Sequence, residues 1–288
     1  LFSYRIAVYI RRKNDMTFYI FSSQTYKNMM FCITILFAFL FGSSTAATSF
    51  CLECPNEITV NYLVTATNLP SFDQCRTVAS RVCVVDLYWD YSSNTTTISI
   101  FEIKASVQPQ LGEDTVTAYS TLEDIPSNNS LSAQSGFLFM CTSESNCNDK
   151  TSIQKLLRSL IIQNQLKEQL HSLIIDISPF DPMTAGCFNF ANRTGDCPTT
   201  DLRLCDRCRI LVERIDLPGQ QICSGCPVPT YAPVNKLSHS KVFSVKERQV
   251  STDVVEINCQ TNGCNSLYNV NRVLQYSRII FDMDTYFS

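Results

Sequence analysis

Four cysteines in the second half of the chain have the spacing of a metal centre: Cys205-Asp-Arg-Cys208, fourteen residues, then Cys223-Ser-Gly-Cys226. Two C-x2-C knuckles of this kind can deliver four thiolates to one tetrahedral zinc. The competing chemistry is oxidation to disulfides, which prevails wherever the compartment does not keep thiols reduced. Other reactive groups are sparse. The only histidines, His171 and His239, are too few for a histidine metal site and have no evident triad partners. No G-x-S-x-G, H-E-x-x-H, glycine-rich phosphate loop or calcium loop occurs. Asp86 and Asp90 share one face of an extended segment, but two acids at even spacing usually read as solvated. The expectation is no catalytic residue, no cofactor and no enzyme activity.

The compartment decides between zinc and disulfides, and the N-terminal region speaks to it. Met29 to Phe41 is apolar apart from Thr34 and ends in Gly42-Ser-Ser-Thr-Ala-Ala47. The run is too short to span a bilayer comfortably and reads as a signal peptide cleaved near Ala46 or Ala47, with an uncleaved anchor behind Arg11-Arg12-Lys13 as the alternative. Residues 1–47 are thus an N-terminal extension and signal, and the rest is expected to be secreted or displayed outside the cell. Setting them aside removes five basic residues (Arg5, Arg11, Arg12, Lys13, Lys27) and one acid (Asp15), so the formal charge moves from -3 to -7. So acidic a chain disfavours nucleic acid or anionic lipid as a partner. No apolar C-terminal tail signals a lipid anchor, and membrane attachment is not evident beyond the signal segment.

Of 15 cysteines, Cys32 falls in the signal, leaving six in a first group (Cys51, Cys54, Cys75, Cys83, Cys141, Cys147) and eight in a second (Cys187, Cys197, Cys205, Cys208, Cys223, Cys226, Cys259, Cys264). Even numbers behind a signal favour disulfides, with zinc at Cys205, Cys208, Cys223 and Cys226 kept as the alternative.

The elements that must position these cysteines are repeated. Cys141-Thr-Ser-Glu-Ser-Asn-Cys147-Asn148 is echoed by Cys259-Gln-Thr-Asn-Gly-Cys264-Asn265, and Ile153-Gln-Lys-Leu-Leu157 by Val270-Asn-Arg-Val-Leu274 at the same offset. A strand-like run precedes each motif, Phe137–Met140 and Val254–Ile257. Such self-similarity fixes the folding unit. The chain therefore divides into a first module at 48–149, an amphipathic helical linker at 150–179, a second module at 180–265 and a helical tail at 266–288. Each module is expected to close on its own disulfides.

β-branched and aromatic runs predict strands at Ile58 to Thr65, and a hairpin of Cys83 to Tyr91 with Thr96 to Lys104. Another hairpin is expected within residues 106–135. In the second module, hairpins are expected from Cys208 to Cys223 around Asp216-Leu-Pro-Gly219, and from Val242 to Cys259. Ile153, Leu156, Leu157, Leu160 and Ile161, continued by Leu166, Leu170, Leu173 and Ile174, form one apolar helical face. Asn271 to Ile280 repeats it. The linker helix is expected to pack on its own module or to bridge the two, and the tail helix to pack on its own module. Asn94, Asn128 and Asn192 head glycosylation tripeptides in polar stretches.

With these residues in place the chain resembles the three-finger domains of the lymphocyte-antigen/urokinase-receptor superfamily and the snake three-finger toxins. There, hairpins radiate from a disulfide-bonded palm and the last disulfide closes a short loop just before an asparagine. Cys51-x2-Cys54-Pro55 with Cys147-Asn148 is similar to the receptor-type opening and close. Cys187, Cys197-Pro198, Cys205, Cys223, Cys226-Pro227 and Cys259-x4-Cys264-Asn265 are similar to the toxin order. The resemblance implies a mainly β, disulfide-rich fold of two tandem three-finger-like modules. It implies pairs Cys141–Cys147, Cys51–Cys83 and Cys54–Cys75 in the first module. In the second it implies Cys259–Cys264, Cys187–Cys205, Cys197–Cys223 and Cys208–Cys226.

It also implies an extracellular protein or receptor as partner. A non-catalytic binding or modulator role is the leading expectation, against a structural or adhesive matrix component and a zinc-ribbon-like metal-binding protein. Candidate contact residues are Tyr88, Trp89 and Tyr91 on the first long hairpin, and Arg209 and Arg214 on its counterpart. Asn148 and Asn265 have the donors and acceptors to tie each closing loop to neighbouring backbone.

Overall fold

The computed structural model describes residues 49–103, 114–125, 130–142, 146–175, 180–192, 197, 205–215, 219–227 and 234–288. The signal segment, the acceptor Asn128 and most of the turn at 216–219 lie outside them. The fold is mainly β and disulfide-rich.

In the first half, β1 (Ser49–Glu53) pairs with β3 (Arg76–Ser80) as a small antiparallel ribbon. The remaining strands are β2 (Ile58–Val60), the hairpin β4 (Cys83–Asp90) and β5 (Thr95–Glu102), and the hairpin β6 (Thr115–Ile125) and β7 (Ser130–Cys141). The β4–β5 turn closes because Asp90 Oδ1 accepts from the amides of Ser92 and Ser93, at 2.8 and 3.4 Å, and Asn94 takes φ 55°. Asparagine tolerates that left-handed conformation better than most side chains. The expected strand from Ile58 stops at Val60, where the chain turns so that Trp89 can donate to the Val64 carbonyl at 2.8 Å.

The second half contributes β9 (Phe190–Ala191), the hairpin β10 (Cys208–Ile215) and β11 (Gln221–Gly225), and the hairpin β12 (Lys236–Ser244) and β13 (Gln249–Cys259). These do not form a separate sheet. β6 pairs with β12 over nine residues, Thr115↔Ser244 to Glu123↔Lys236, giving one ten-stranded sheet in the order β2-β5-β4-β7-β6-β12-β13-β10-β11-β9. Read from either end, the order is the same sequence of equivalent strands. The pairs Ala118↔Lys241 and Ser120↔His239 flank Tyr119↔Ser240, which marks a pseudo-two-fold centre.

The linker and tail correct the helical expectation. The linker begins as α1 (Lys150–Ser159), capped by Asp149, then becomes β8 (Leu160–Asn164) and only afterwards the short α2 (Leu166–Leu170) with a 3-10 turn at His171–Leu173. After α3 (Pro182–Ala185) in the second half, the tail does the same: α4 (Leu267–Tyr276), β14 (Ser277–Phe281), α5 (Met283–Phe287). β8 and β14 pair antiparallel about Ile162↔Ile279. Consecutive β-branched residues, Ile161-Ile162 and Ile279-Ile280, favour strand once a partner exists. Each repeat supplies the partner for the other.

This ribbon is a crossing point. One hydrophobic core holds Val85, Leu87, Ile98, Phe137, Phe139, Ile153 and Leu156 of the first half together with Phe243, Ile279 and Phe281 of the second. The other holds Ile210, Ile257, Val270 and Val273 of the second half with Leu122, Leu166, Leu170 and Ile174 of the first. Thus α1 and α4 pack on their own halves as expected, but the segments beyond the ribbon are exchanged. All seven disulfides stay within one half or the other. No disulfide joins the halves, yet they share a sheet and both cores, so each does not close on its own disulfides alone.

Gly136 marks a tight spot in this sheet. A Cβ there would lie 2.5 Å from the Leu87 carbonyl oxygen and 2.7 Å from the Tyr119 hydroxyl. Gly136→Ala is therefore expected to cost about 1–3 kcal/mol by overpacking, read as a lower urea midpoint. An unchanged midpoint would show that β4 and Tyr119 yield freely.

Candidate binding surface

The palm of each half is built from one strand-opening cysteine and one asparagine. Cys83 opens β4 and faces Cys141 in register, while Cys208 opens β10 and faces Cys259. Cys83 bonds to Cys51 and Cys208 bonds to Cys187. The residue after each partner is clamped. Asn148 Oδ1 accepts from the Leu52 amide and Nδ2 donates to the Leu52 carbonyl, both at 2.8 Å. Asn265 treats Phe188 the same way, at 3.0 and 2.8 Å, and also donates to the Arg209 carbonyl at 3.2 Å and Ser224 Oγ at 2.9 Å. Both asparagines are fully buried.

The other pairs are Cys54–Cys75, Cys141–Cys147, Cys197–Cys223, Cys205–Cys226 and Cys259–Cys264. Two implied pairs, Cys187–Cys205 and Cys208–Cys226, are thereby corrected. Cys205 lies before β10 begins and reaches Cys226 just past the end of β11, whereas Cys208, on the strand, meets Cys187. The internal repeat carried this signal, since Cys187–Cys208 is the counterpart of Cys51–Cys83.

The same pairing disposes of the zinc alternative. Cys205, Cys208, Cys223 and Cys226 are divided among three disulfides and offer no free thiolate. The sulfurs of Cys187, Cys205 and Cys226 do lie within 4.8 Å of one another, because two disulfides adjoin.

The proposed contact residues separate by strand parity. Trp89 points inward with Val85 and Leu87, its ring 6.2 Å from that of Phe137, and packs, partly buried, against the core. Tyr88 lies half-buried on the opposite face. Tyr91 is exposed, and burial of its hydroxyl end raises the phenol above its ordinary value, partly offset by a hydrogen bond with Ser135. Arg209 is committed to Glu256, with Nε and Nη2 at 2.8 and 2.7 Å from Oε1. Arg214 is exposed and lies opposite Asp253 in register. These residues do not converge on one site.

Of the glycosylation acceptors, Asn94 is exposed at its hairpin tip. Asn192 has its amide engaged at the start of β11: Nδ2 donates to the carbonyl of Gln220, just before the strand, and Oδ1 accepts from the Ile222 amide, both at 2.7 Å.

A set of residues not singled out by sequence is more exposed. Phe188 and Phe190 are 53 and 52% accessible, Met183 76%, Leu267 46% and Tyr268 71%. They lie on segments that meet at the Cys259–Cys264 loop. Phe188 abuts Gly263 and is clamped by Asn265, Phe190 pairs with Ser224, and Gly186 of the α3 cap abuts Asn262. Clamping the Phe188 backbone on both its polar groups leaves its ring turned outward. The available signal was the position directly after Cys187, whose first-half counterpart is Leu52.

Asp86 is the strongly perturbed acid. Burial, followed by repulsion from Glu57, raises it from 3.8 to about 6. The folded state therefore holds this proton more tightly than the unfolded chain. The penalty is absent below about pH 4, grows as pH rises from there to about 6 and is complete above that. Asp86→Asn should stabilise the protein at pH 7, by up to roughly 3 kcal/mol, with no gain at pH 3.5. Equal gains at both pH values in denaturant titrations would refute the account.

Asp253, His239 and Ser277 do come together, with His239 Nε2 3.0 Å from Asp253 Oδ1 and Nδ1 3.1 Å from Ser277 Oγ. The group is not arranged for catalysis. Ser277 is fully buried, and the nearest atom to Nδ1 is its carbonyl oxygen at 2.6 Å. Although burial pushes the Asp253 carboxyl up, the hydrogen bond and charge of His239, with Lys241 and Arg214, hold it below the usual carboxylate range.

So dense a set of disulfides is that of an extracellular, disulfide-stabilised protein. Among the described residues no helix is long and apolar enough to cross a membrane. Compared with protein-family models, curated proteins and solved structures, the chain matches none.

Proposed function

We propose that this is a secreted or cell-surface, non-catalytic protein-binding protein of the three-finger kind, with two modules fused about a pseudo-two-fold seam. Each half has two successive hairpins whose last strand returns beside the first (β7 beside β4, β13 beside β10) before closing on a cysteine loop and a buried asparagine. The observation that carries the binding role is the exposed Phe188, Phe190, Tyr268, Met183 and Leu267 on disulfide-pinned backbone. Rigid aromatic anchors lose little entropy on binding and are frequent interface hot spots. The partner class is an extracellular protein or receptor, and Asn94 is the acceptor best placed to carry a glycan without obstructing the palm.

The test is saturable binding of fluorescently labelled secreted protein to cells of the source tissue. A Phe188→Ser/Phe190→Ser/Tyr268→Ser variant that keeps all seven disulfides should lose it. Undiminished binding would remove the role of this surface. Recovery of the wild type only in an insoluble extracellular fraction would favour a matrix component instead.

A further inference from the structure

The ten-stranded sheet ends at β9, and the hydrogen bonding there leaves that end open. The Asn192 amide donates to the Ile222 carbonyl at 3.2 Å, and Phe190 lies opposite Ser224 in register. In an antiparallel pair, residues that exchange bonds alternate with residues whose N–H and C=O point away. Phe190 and Asn192 thus turn toward β11, as does Phe188, whose carbonyl accepts from Ser224 Oγ at 2.9 Å. Asn189 and Ala191, lying between them, direct their N–H and C=O groups away from β11, and among the described residues no strand lies beyond to take them up. Phe190 shares the face of Ser224 and of its β10 partner Ile210, so its ring stands on the core side of the sheet just past the last strand, with Phe188 two residues earlier on the same side.

Exposed strand edges are ordinarily guarded by charge or proline, because they template pairing with another chain. The opposite end of the sheet follows that rule, since β2 is preceded by Pro55 and Glu57. Residues 188–192, Phe-Asn-Phe-Ala-Asn, carry neither. The internal repeat shows that the fold does not require this. Leu52 and Cys54 hold the positions of Phe188 and Phe190; Leu52 packs on the first core and pairs with Thr77 of β3, and Cys54 is bonded to Cys75. Lys150 and Thr151 hold the positions of the exposed Leu267 and Tyr268. One half therefore closes or hydrates the places where the other presents apolar surface.

We propose that β9 is a docking edge for a separate protein: an extended, uncharged segment of the partner joins it as an antiparallel eleventh strand, bonding Asn189 and Ala191 and setting alternate large apolar side chains against Phe190 and Phe188. This rests on the binding role proposed above and specifies its partner. The pairings of β9, β11 and β10 are all antiparallel, so their twist and bond spacing suit an antiparallel newcomer. A second copy of this chain is disfavoured by charge and by area. Residues 48–288 carry a formal charge of -7, which repels like copies and favours basic residues flanking the partner's strand. The exposed Phe188, Phe190, Tyr268, Met183 and Leu267 offer roughly 500 Å2 of apolar side chain. A stable interface takes about 800 Å2 per partner and a permanent dimer more. This edge suits a transient complex in which main-chain bonds supply much of the affinity.

The experiment is residue-resolved amide exchange of the full secreted chain, alone and with a capped peptide in which threonine alternates with phenylalanine and valine between terminal lysines. Alone, the Asn189 and Ala191 amides should exchange near their intrinsic rates while Phe190 is protected. Saturating peptide should slow both about tenfold, the worth of one hydrogen bond. Ala191→Pro removes a donor that faces outward and no bond of the existing sheet, so it should be secreted with its disulfides intact. It should nevertheless lose peptide protection at Asn189 and weaken binding to cells about tenfold. Should that variant fail to fold, the wild-type exchange decides. Cell binding that survives Ala191→Pro but not Phe188→Ser/Phe190→Ser/Tyr268→Ser would keep the surface and overturn the added strand. Absence of cell binding by the wild type, with the peptide still protecting the edge, would overturn the wider reading and not this one. A peptide that protects neither amide overturns the proposal. Protection of both amides in the free chain does so as well, assigning the edge to a second copy if it grows with protein concentration and to the chain itself if it does not.

Discussion

Truncation after Tyr276 is expected to unfold the first half of the chain, although every residue removed belongs to the second. β14 supplies Ile279 and Phe281, 1 and 6% exposed, to the core built around Phe137 and Phe139. Phe281 lies 5.5 Å from Phe243 and 5.3 Å from Tyr286, which in turn lies 6.5 Å from Phe139. Deleting the segment also unpairs β8 along all five of its residues and leaves the Ser159 carbonyl without the Asp282 amide that bonds it at 2.8 Å. The single substitution Phe281→Ala isolates the packing part and should cost about 3–5 kcal/mol. Its diagnostic is location. Hydrogen exchange should accelerate in β4 and β7 of the first half at least as much as in β10 and β13 of the second. Acceleration confined to the second half, or a truncated chain secreted with unchanged thermal stability, would show that the tail is an appendage.

Asn265→Ala should be the most damaging polar substitution in the protein. Its side chain, fully buried, satisfies both backbone groups of Phe188, the Arg209 carbonyl and the Ser224 hydroxyl. Each buried group left unpaired costs about 1–3 kcal/mol, so the loss should exceed about 3 kcal/mol. Asn148→Ala removes only the two bonds to Leu52 and should cost less, about 2 kcal/mol or somewhat more. Asn265→Asp keeps the shape but forfeits the two N–H donors that serve three acceptors and buries a charge, so it should be no better than alanine. Urea unfolding under non-reducing conditions ranks the three. Equal and small losses at both positions would mean that the disulfides alone hold the palms.

Much of this was legible because it is local or repeated. Alternation of apolar residues put Val85 and Leu87 on one face and Asp86 on the other, and the same rule shows Trp89 facing the core rather than a ligand. The Cys-Asn echo identified two asparagines that are indeed both buried and both clamping the same kind of residue. The toxin-like order misassigns two pairs of the second half, Cys187–Cys208 and Cys205–Cys226, whereas the internal repeat relates Cys208 to Cys83.

The sequence by itself determined the mainly β, disulfide-rich class, the two-fold repetition, the hairpins and the segregation of cysteines into a group of six and a group of eight. These follow from periods of two residues, turn chemistry and spacing, all of which act over short stretches of chain. Only the tertiary structure decided that β6 joins β12, that the helical runs break into β8 and β14, and that the segments beyond them are exchanged. A strand reads as a strand only when an edge is offered to it, and here each edge is supplied by the other repeat, about 117 residues away along the chain. The runs at Leu160 and Ser277 fit a helical face as well as a strand, so their state was settled by the partner and the shared core rather than by their own residues.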